Sequence, residues 1–392
     1  MHFKIKRDIL LKSLNFVQGV VEKKNTLPIL SNVLLQLKNN KLSIVATDLD
    51  IIFYDEIQNV EVLTEGSTTT SAAILYDILR KISSNAELNF EQKTENKLSL
   101  KSENSNFSLL CLPTDNFPSF AEEFEANEVK LNRDKFLKLL TKTRISISND
   151  DTRHYLNGVF IHITEAHGRN FLTGVATDSH RLSSSSLEID GQGSILRPFI
   201  LPRKTVFQLC TLIAETNDSL IMQTSENKVK FVIGNIKLIS KVIDGKFPDY
   251  KKVVPINNDK KLTVSTKDFI SSIERVASVS LDRKEGVKLA INKDNIHFSV
   301  NSANSGEGNE IIKAEFSSDN LSVSFNSKYL TDIASEVEDN KLRLNFKDPT
   351  SPVLIEDAAD KNSYYVIMPM KIWFLFKIKF FFIFSAINVD NK

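Results

Sequence analysis

Two short stretches decide the fold, Asn40-Lys41-Leu42-Ser43-Ile44 and Asn96-Lys97-Leu98-Ser99-Leu100. In each of them an Asn precedes alternating apolar and polar residues. Asn tolerates the left-handed backbone of a tight hairpin, and the alternation turns one face of the strand toward a core. The sequence therefore predicts β-hairpins here and at four similar places, which begin at Asn170, Asn227, Asn295 and Asn340.

A segment with helical spacing precedes each predicted hairpin. In the third such segment, Phe136, Leu139, Leu140 and Thr143 recur at the spacing of one buried helix face. The chain is therefore predicted to repeat one unit, a helix with antiparallel strands, along its whole length. The predicted helices cover residues 7–24, 71–83, 132–144, 202–215, 266–283 and 327–338.

The spacing of shared motifs groups the repeated units in pairs. Ala46-Thr47-Asp48 recurs as Ala176-Thr177-Asp178, and Phe117-Pro118 recurs as Phe247-Pro248, both at an offset of 130 residues. This period is too long for a solenoid of short repeats. We predict an α+β protein of three tandem domains, each built from two half-repeats of a helix and an antiparallel sheet. The predicted domains cover residues 1–125, 126–253 and 254–372.

The composition excludes several classes of protein. With 392 residues, 41% of them hydrophobic and 25% charged, the chain is typical of a globular protein of more than one domain. The 50 Lys and Arg nearly balance the 49 Asp and Glu, so a polyanion must be met by a local patch. Cys111 and Cys210 are too few for a disulfide framework or a four-cysteine zinc site. This cysteine usage predicts a reducing, cytoplasmic location.

Neither end of the sequence is typical of a targeting or membrane segment. Near the N-terminus, Lys4, Lys6 and Arg7 interrupt the apolar residues of a signal-peptide core. The longest apolar stretch, residues 372–384, contains two lysines and is shorter than the roughly 20 residues of a membrane-spanning helix. We expect a protein that is neither secreted nor bound to a membrane.

No pattern in the sequence is typical of an active site. The six histidines are scattered without the spacing of metal ligands. Gly191-Gln192-Gly193 lacks the third glycine of a nucleotide-binding loop, and the run Ser183–Ser186 lacks the glycines of a nucleophile elbow. We expect no metal, no cofactor and no catalytic residue. A nucleic-acid enzyme is disfavoured, because it would need a cluster of carboxylates or a nucleophile.

Positive charge recurs along one face of the third predicted helix. Lys135, Lys138 and Lys142 stand three and four residues apart, away from the apolar face of Phe136 and Leu139. A solvated helix surface is the plainer interpretation. If all six helices turn their polar faces to one axis, however, these lysines suit a sugar-phosphate backbone and read no bases. We therefore predict the three lysines to be DNA-binding residues.

Five motifs, in order along the chain, resemble those of the bacterial sliding clamp, the beta subunit of DNA polymerase III. The resemblance covers residue 1 to about residue 372 and implies a head-to-tail homodimer that closes into a ring of six domains. Helices would line the hole and sheets would run round the outside. The motifs are Thr26-Leu27-Pro28-Ile29-Leu30-Ser31-Asn32, Tyr155-Leu156-Asn157-Gly158, Ala176-Thr177-Asp178-Ser179-His180-Arg181-Leu182, Asp244-Gly245-Lys246-Phe247-Pro248-Asp249-Tyr250 and Tyr365-Val366-Ile367-Met368-Pro369-Met370.

The resemblance implies a DNA sliding clamp, a non-catalytic processivity factor that encircles duplex DNA without sequence preference. It implies as partners double-stranded DNA, a second copy of the chain, the DNA polymerase III catalytic subunit and the clamp loader. Other DNA polymerases and repair proteins that carry clamp-binding peptides would share one hydrophobic groove. Its matching positions are Tyr155, Leu156, Thr177, Ser179, His180, Arg181, Leu182, Pro248, Lys252, Val253, Val366, Ile367, Met368, Pro369 and Met370.

The same resemblance implies further contacts. Lys24, Tyr155, Arg203 and Lys204 match DNA-binding positions of the family. Phe107 and Val279 match apolar positions at the joining edges of the subunits. His180 and Arg181 are expected to hydrogen-bond the bound peptide.

Several positions depart from the family pattern. Asp150 stands where a neutral polar residue is usual, and His154 stands where an aromatic residue often lies. Ser278 replaces a larger apolar residue, which predicts a less stable ring. Residues 373–392 form an aromatic-rich C-terminal extension to which the resemblance assigns no function. The alternative function is a multi-domain adaptor that binds proteins but does not encircle DNA, and such an adaptor would lack the cationic helix faces.

Overall fold

The computed structural model describes residues 1–22, 26–119, 128–189, 196–280, 286–302 and 305–370. In these ranges all six predicted helices are confirmed. The first ends six residues earlier than predicted, where Gly19 lies against the side chain of Gln208 and leaves no room for a Cβ atom. The helices are α1 Arg7–Gln18, α2 Ala72–Lys81, α3 Arg133–Arg144, α4 Arg203–Glu215, α5 Thr266–Ala277 and α6 Ser327–Ser335.

Antiparallel strands make up most of the rest of the described residues. In order they are β1 His2–Lys6, β2 Asn32–Lys38, β3 Lys41–Thr47, β4 Ile51–Ile57, β5 Glu61–Thr64, β6 Gly66–Ser71, β7 Glu87–Thr94, β8 Lys97–Ser102, β9 Ser105–Leu112, β10 Glu128–Leu131, β11 Gly158–Ala166, β12 Arg169–Thr177, β13 Arg181–Glu188, β14 Phe199–Pro202, β15 Leu220–Thr224, β16 Lys228–Ile233, β17 Ile236–Lys241, β18 Lys260–Ser265, β19 Gly286–Ile291, β20 Asn295–Ser302, β21 Gly306–Phe316, β22 Leu321–Asn326, β23 Lys341–Phe346, β24 Val353–Glu356 and β25 Ser363–Ile367.

Five of the six predicted hairpins are confirmed, and the sixth is wrong. The first turn has Asn39 and Asn40 at φ 53° and 57°, the left-handed conformation that the sequence predicts. Asn340 instead stands in the loop between α6 and β23, so the third domain places this Asn one strand earlier than the other two domains do. The hairpin of this half-repeat joins β23 to β24.

Strand pairs across the domain junctions make the sheets continuous. The third strand of the first half-repeat, β4, pairs with β17 of the next predicted domain, with Ile52 opposite Ile239. In the same way β13 pairs with β25, with Leu182 opposite Val366. Two antiparallel sheets of 13 and 12 described strands result. The helices pack in pairs, α1 with α2, α3 with α4 and α5 with α6.

Apolar side chains fill the space between helices and sheets. One core cluster combines residues of the first two predicted domains, and a second belongs to the third. Two smaller clusters lie at the domain junctions, and they contain Phe117 and Phe247 respectively. The two phenylalanines at the offset of 130 residues therefore play the same packing role in successive repeats.

The sequence predicts neither a membrane-spanning helix nor a metal site, and the described ranges can be examined for both. No helix there is long and apolar enough to span a membrane. Within the same ranges, no group of three or more His, Cys, Asp and Glu side chains is arranged to hold a metal ion.

Candidate functional site

The predicted peptide groove maps to the place where β13 of the central domain meets β25 of the C-terminal domain. Leu182 and Val366 pair across this junction and are 2% and 3% exposed. They pack in one cluster with Leu156, Phe247 and Tyr250. Antiparallel pairing thus places side chains from two domains side by side and forms the floor of the groove.

The rim of the groove exposes apolar side chains to solvent. Val253, which ends a short 3-10 helix, is 50% exposed, while Met368 and Met370 are 41% and 40% exposed. Pro248 is exposed and Pro369 is partly buried. Clustered exposed apolar side chains with adaptable methionines are typical of a protein-interaction site. Lys252, also on the rim, pairs with Asp249 at 3.3 Å.

The Asp178 turn forms one wall of the groove. The carboxylate Oδ1 of Asp178 accepts the backbone N–H groups of His180 and Arg181, both at 2.9 Å. The Thr177 hydroxyl donates to the carbonyl of Arg181 at 2.7 Å. Ser179 has φ 76°, a conformation that a non-glycine residue adopts only when its surroundings hold it. His180 is exposed, and its carbonyl accepts the backbone N–H of Met368 at 2.8 Å.

Arg181 and Ile367, two of the predicted groove residues, are buried. Arg181 is 8% exposed, and its guanidinium contacts Asp178 at 3.1 Å and Asp332 at 2.8 Å. The guanidinium is therefore paired within the chain, and its expected hydrogen bond to the peptide stays a prediction. Ile367 is wholly buried in the core of the C-terminal domain, because it lies on the helix-facing side of β25. Its side chain cannot line the groove.

A buried histidine lies beneath the groove. The ring of His162 stacks on Phe160 with centroids 4.6 Å apart, and its Nε2 lies 3.0 Å from the hydroxyl of Tyr250. Burial, aided by the nearby charge of Lys251, lowers the pKa of His162 to about 4. Burial also raises the pKa of Tyr250 to about 12. This layer is therefore neutral at pH 7.

The helix layer presents some, but not all, of the predicted cations. Lys135 and Arg203 are exposed, and Tyr155 is partly buried. The guanidinium groups of Arg144 and Arg203 each lie 5.3 Å from the ring of Phe207, which is 41% exposed. Sequence reasoning missed Arg144, although its place at the end of α3 put it on the helix that carries the predicted lysines.

The predicted cationic stripe is wrong at Lys142. This side chain is 2% exposed, and its ammonium lies 3.0 Å from Asp357, 3.2 Å from Asp360 and 3.3 Å from Glu338. Lys138, which is partly exposed, contacts Glu338 at 2.8 Å and Asp360 at 3.1 Å. Both lysines therefore tie α3 to the C-terminal domain, because acidic residues of that domain meet them at the junction.

The ionisation of this cluster is shifted toward the charged forms. Burial alone would raise the pKa of Asp357, but hydrogen bonds from the Glu338 N–H and from Lys142 outweigh it and lower the pKa. Asp360 likewise has a lowered pKa, because Ser363 and Lys138 outweigh the effect of burial. Partial burial would lower the pKa of Lys138, yet its carboxylate partners raise it.

Lys204 is also committed to a domain junction. Its ammonium donates to Asp48 at 2.6 Å and to the carbonyl of Val20 at 2.8 Å, and it lies 3.6 Å from Glu22. The Lys204 side chain is still 37% exposed, and its DNA contact stays a prediction. Lys24 lies outside the described residues, as does the C-terminal extension 373–392.

Asp150 and His154, which depart from the family pattern near the predicted DNA contacts, both contact other residues of the chain. Hydrogen bonds from Thr152 and Arg153 lower the pKa of Asp150, so its negative charge is kept but partly balanced by Arg153 at 2.9 Å. The ring Nε2 of His154 lies 3.1 Å from the carbonyl of Asp244, and the ring contacts Tyr155 edge-on.

The predicted subunit-contact residues lie beside two strands with an open edge. Phe107 on β9 is partly buried against the first core, and Val279 packs beside the second. Among the described strands, residues 105–110 of β9 pair only with β8. Residues 306–313 of β21 pair only with β20.

A layer of paired helices, sheets that continue through the domain junctions and an apolar groove at one junction define the class of DNA clamps. Three family models match in succession: the N-terminal, central and C-terminal domains of the DNA polymerase III beta subunit match residues 1–121, 130–249 and 251–371. The chain belongs to the DNA polymerase III beta subunit family, the beta sliding clamps.

Similar proteins cover nearly all of the chain. The beta sliding clamp of Caulobacter vibrioides is 35% identical over 374 residues, which are 95% of this chain and 100% of the relative. That of Escherichia coli K12 is 33% identical over 372 residues, with 95% and 100% covered. A solved sliding clamp from Bartonella birtlesii, bound to griselimycin, is 36% identical with a TM-score of 0.91 and the same coverage. One from Caulobacter crescentus is 34% identical with a TM-score of 0.87, again with 95% and 100% covered.

Membership of this family decides between the functions that the sequence left open. The chain is a sliding clamp, a non-catalytic processivity subunit of DNA polymerase III, and its partners are DNA, a second copy, the polymerase and proteins with clamp-binding peptides. The adaptor that does not encircle DNA is not supported, and the chain is not an enzyme in its own right.

Proposed function

We propose that two copies of this chain close into a ring through β9 and β21, that the inner helix faces surround duplex DNA in the cytoplasm, and that the groove at Leu182 and Val366 holds partner peptides. The observation that carries the proposal is the pattern of strand pairs at the junctions. Among the described strands, this pattern occurs at both internal junctions and leaves the edges of β9 and β21 open.

The repeat identifies the missing junction. In both internal junctions, the third strand after the first helix of one domain pairs with the last strand of the next domain, β4 with β17 and β13 with β25. By this rule β21, the third strand after α5 in the C-terminal domain, requires the last strand of an N-terminal domain, β9. Both belong to one chain, so a second copy must supply the partner. Two such heterologous contacts close a ring of six domains, and no sheet edge is left open at the junctions.

The same comparison predicts the register between subunits. Ile51, the first residue of β4, pairs with Ser240 of β17. Leu109 is the counterpart of Ser240, because both lie one residue before the end of their hairpin pairing with β8 and β16. Gly306, the first residue of β21, should therefore face Leu109 of the second copy.

This register brings the two predicted subunit-contact residues together. It places Phe107 opposite Gly308, where a Cβ built on the glycine would lie 3.4 Å from Cγ2 of Val279. Phe107 lies beside α2, whose Ile74 is 55% exposed. We propose an interface in which Phe107 and Ile74 of one subunit meet the end of α5 in the other.

A ring does not need strong contacts with DNA. Lys135, Arg144 and Arg203 remain as exposed or partly exposed cations of the central domain, and we propose that these side chains, with Tyr155, meet the phosphates. Lys24 is proposed for the same role. Few contacts keep the affinity low and free of sequence preference, which sliding requires.

The groove residues divide by depth. Leu156, Leu182 and Val366 form a buried apolar floor, while the exposed rim residues would close over a peptide side chain. We propose the following contacts for the peptide: Tyr155, Leu156, Thr177, Ser179, His180, Leu182, Pro248, Lys252, Val253, Val366, Met368, Pro369 and Met370. Apolar anchors in such a groove dominate peptide affinity, and the polar rim fixes the peptide direction.

We also propose the domain bounds 1–125, 126–253 and 254–372. The strand pairs and ion pairs between these units support them, since each joins one unit to the next. Residues 373–392 are proposed to lie outside the three domains.

Run-off from DNA tests the encircling function. The protein is placed on a nicked circular plasmid with its clamp loader, and the plasmid is then cut once. We expect the bound protein to stay on the circle and to leave after cutting, because a ring is held topologically. A plasmid of equal length, cut before loading, is the control. Equal retention on the cut and uncut plasmids would contradict the proposal.

A further inference from the structure

The guanidinium of Arg181 connects the groove to the C-terminal domain. Its Nε donates to Asp178 at 3.1 Å and its Nη1 donates to Asp332 of α6 at 2.8 Å, while its Cζ lies 4.2 Å from the centre of the Tyr329 ring. A planar guanidinium suits this site, because it bonds two carboxylates and stacks on an aromatic ring at the same time.

These contacts continue into the groove wall through the backbone. Asp178 holds the turn by accepting two backbone N–H groups, and the turn keeps Ser179 at φ 76°. The carbonyl of His180 then accepts the N–H of Met368, one of the exposed apolar side chains of the rim. An unbroken series of contacts therefore runs from Asp332 through Arg181 and the Asp178 turn to Met368.

The equivalent turn in the N-terminal domain is held differently. Asp48 also accepts two backbone N–H groups, and Leu49 has φ 79°, so the two turns share one backbone shape. The residue at the position of Arg181 is Ile51, which is apolar, and the carboxylate of Asp48 is met directly by Lys204 of the neighbouring domain. Of these two turns, the one beside the groove is anchored to the next domain through its own arginine.

From this arrangement we propose that Arg181 is a positioning residue for peptide binding, and that Asp332 and Tyr329 of α6 set the shape of the groove through it. The inference rests on the proposed groove. It assigns to Asp332, a residue of α6, an effect on the groove that is exerted through Arg181.

A double-mutant cycle on the full-length dimer tests the proposal. The variants are Arg181→Gln, Asp332→Asn and the double substitution, and the readout is the Kd of a fluorescein-labelled clamp-binding peptide of the DNA polymerase III catalytic subunit. Each single substitution is expected to weaken binding at least fivefold. The double variant should be weaker by much less than the product of the two losses, because both changes break the same series of contacts.

The matched control is Lys328→Gln, which removes the other ion-pair partner of Asp332, 3.0 Å away, and leaves Arg181 in place. It should bind the peptide as wild type does. Tyr329→Leu is the second variant, because it keeps both carboxylates and removes the ring that contacts both the guanidinium and His180. It should weaken peptide binding as Asp332→Asn does. The melting temperature of each variant is measured as well.

The outcomes separate the two proposals. A wild-type protein that does not bind the peptide would overturn the groove itself. Wild-type binding with an unchanged Kd for Asp332→Asn and a weaker Arg181→Gln would mean that Arg181 contacts the peptide directly, which overturns the positioning role. Equal losses for Asp332→Asn and Lys328→Gln would show a general disturbance of α6 and would also overturn it.

Discussion

At the scale of single residues, the surroundings of a charge decide what it does. Lys135 and Lys142 belong to the same run of helical lysines three and four residues apart. Lys135 is exposed, whereas Lys142 is enclosed by carboxylates. The partner Asp357 lies 215 residues further along the chain. Spacing within a helix could therefore predict a shared face but not the acidic residues that cover part of that face.

Replacing Lys142 should destabilise the protein strongly. Lys142→Met keeps the length of the side chain but leaves buried carboxylates without their main counter-charge, and loss of one partner of a buried pair costs about 3 kcal/mol or more. Urea unfolding at pH 7 measures the change. Lys135→Met is the control on the exposed part of the same helix and should unfold at the wild-type urea concentration. A Lys142→Met protein as stable as wild type would show that the cluster contributes nothing to the junction.

The buried His162 predicts a pH dependence of stability. Its folded-state pKa is about 4, below the ordinary value of 6.5. Between these values the unfolded chain binds more protons, so stability falls as the pH falls from about 6.5 to about 4, by at most ~1.4 kcal/mol per pH unit from this group. His162→Gln cannot titrate and keeps a hydrogen-bonding group near Tyr250. Between pH 7 and pH 5, wild type should lose about 2 kcal/mol more than this variant in urea unfolding. Equal losses would exclude His162 as the source.

Depth in the groove predicts two kinds of effect on peptide binding. Met368→Ala removes an exposed rim side chain, so it should weaken peptide binding about tenfold or more and leave the melting temperature nearly unchanged. Leu182→Ala removes a side chain that is 2% exposed, so it should weaken peptide binding and also lower the free energy of unfolding by about 2–5 kcal/mol. Ile256→Ala, at a site 91% exposed, is the control. Wild-type affinity in the Met368 variant would place the peptide elsewhere.

At the scale of elements, period and alternation predicted the six helices and five of the six hairpins correctly. Phe136, Leu139 and Leu140 are wholly buried in α3, as their spacing predicts. The prediction at Asn340 was wrong because an Asn before an alternating strand gives the same sequence pattern whether a helix or a strand precedes it. Pairing across junctions could not be predicted from the sequence, since the register of Leu182 against Val366 depends on the packing of two domains.

The predicted register between subunits can be checked by a disulfide. It places Ser108 opposite Glu307 on the outer face of the joined sheet, and paired Cα atoms in antiparallel strands lie about 4.5–5.5 Å apart, within the range of a disulfide. The double variant Ser108→Cys, Glu307→Cys should form a covalent dimer under mild oxidation, detected on a non-reducing gel. The native Cys111 and Cys210 are buried and should not interfere.

The offset pair Asn106→Cys, Glu307→Cys is the matched control, because a shift of two residues moves the thiols beyond bonding distance. Faster cross-linking of the offset pair than of the aligned pair would refute the register that Leu109 and Gly306 define.

At the scale of the whole molecule, each internal junction combines a strand pair with ion pairs. Lys204 joins the first two domains through Asp48, and Lys142 joins the last two through Asp357 and Asp360. Contacts within the chain therefore fix how its three domains are arranged. The second copy then has only to pair with the free edges of β9 and β21. Two lysines that would otherwise attract phosphates are thus used at the junctions between domains of one chain.

A ring whose two subunit interfaces are both closed by disulfides should stay on circular DNA at any salt concentration. Phosphate contacts weaken steeply with salt, whereas a closed ring on a closed circle is linked topologically at any ionic strength. The Ser108→Cys, Glu307→Cys protein is loaded onto a nicked circular plasmid, oxidised and washed with 1 M salt, a concentration chosen to exceed roughly physiological ionic strength severalfold. We expect it to remain until the plasmid is cut or the disulfides are reduced. The same protein oxidised before loading should fail to enter the circle but should thread onto linear DNA. Release of the sealed protein from an intact circle by salt alone would show that the two subunits lie beside the DNA and do not surround it.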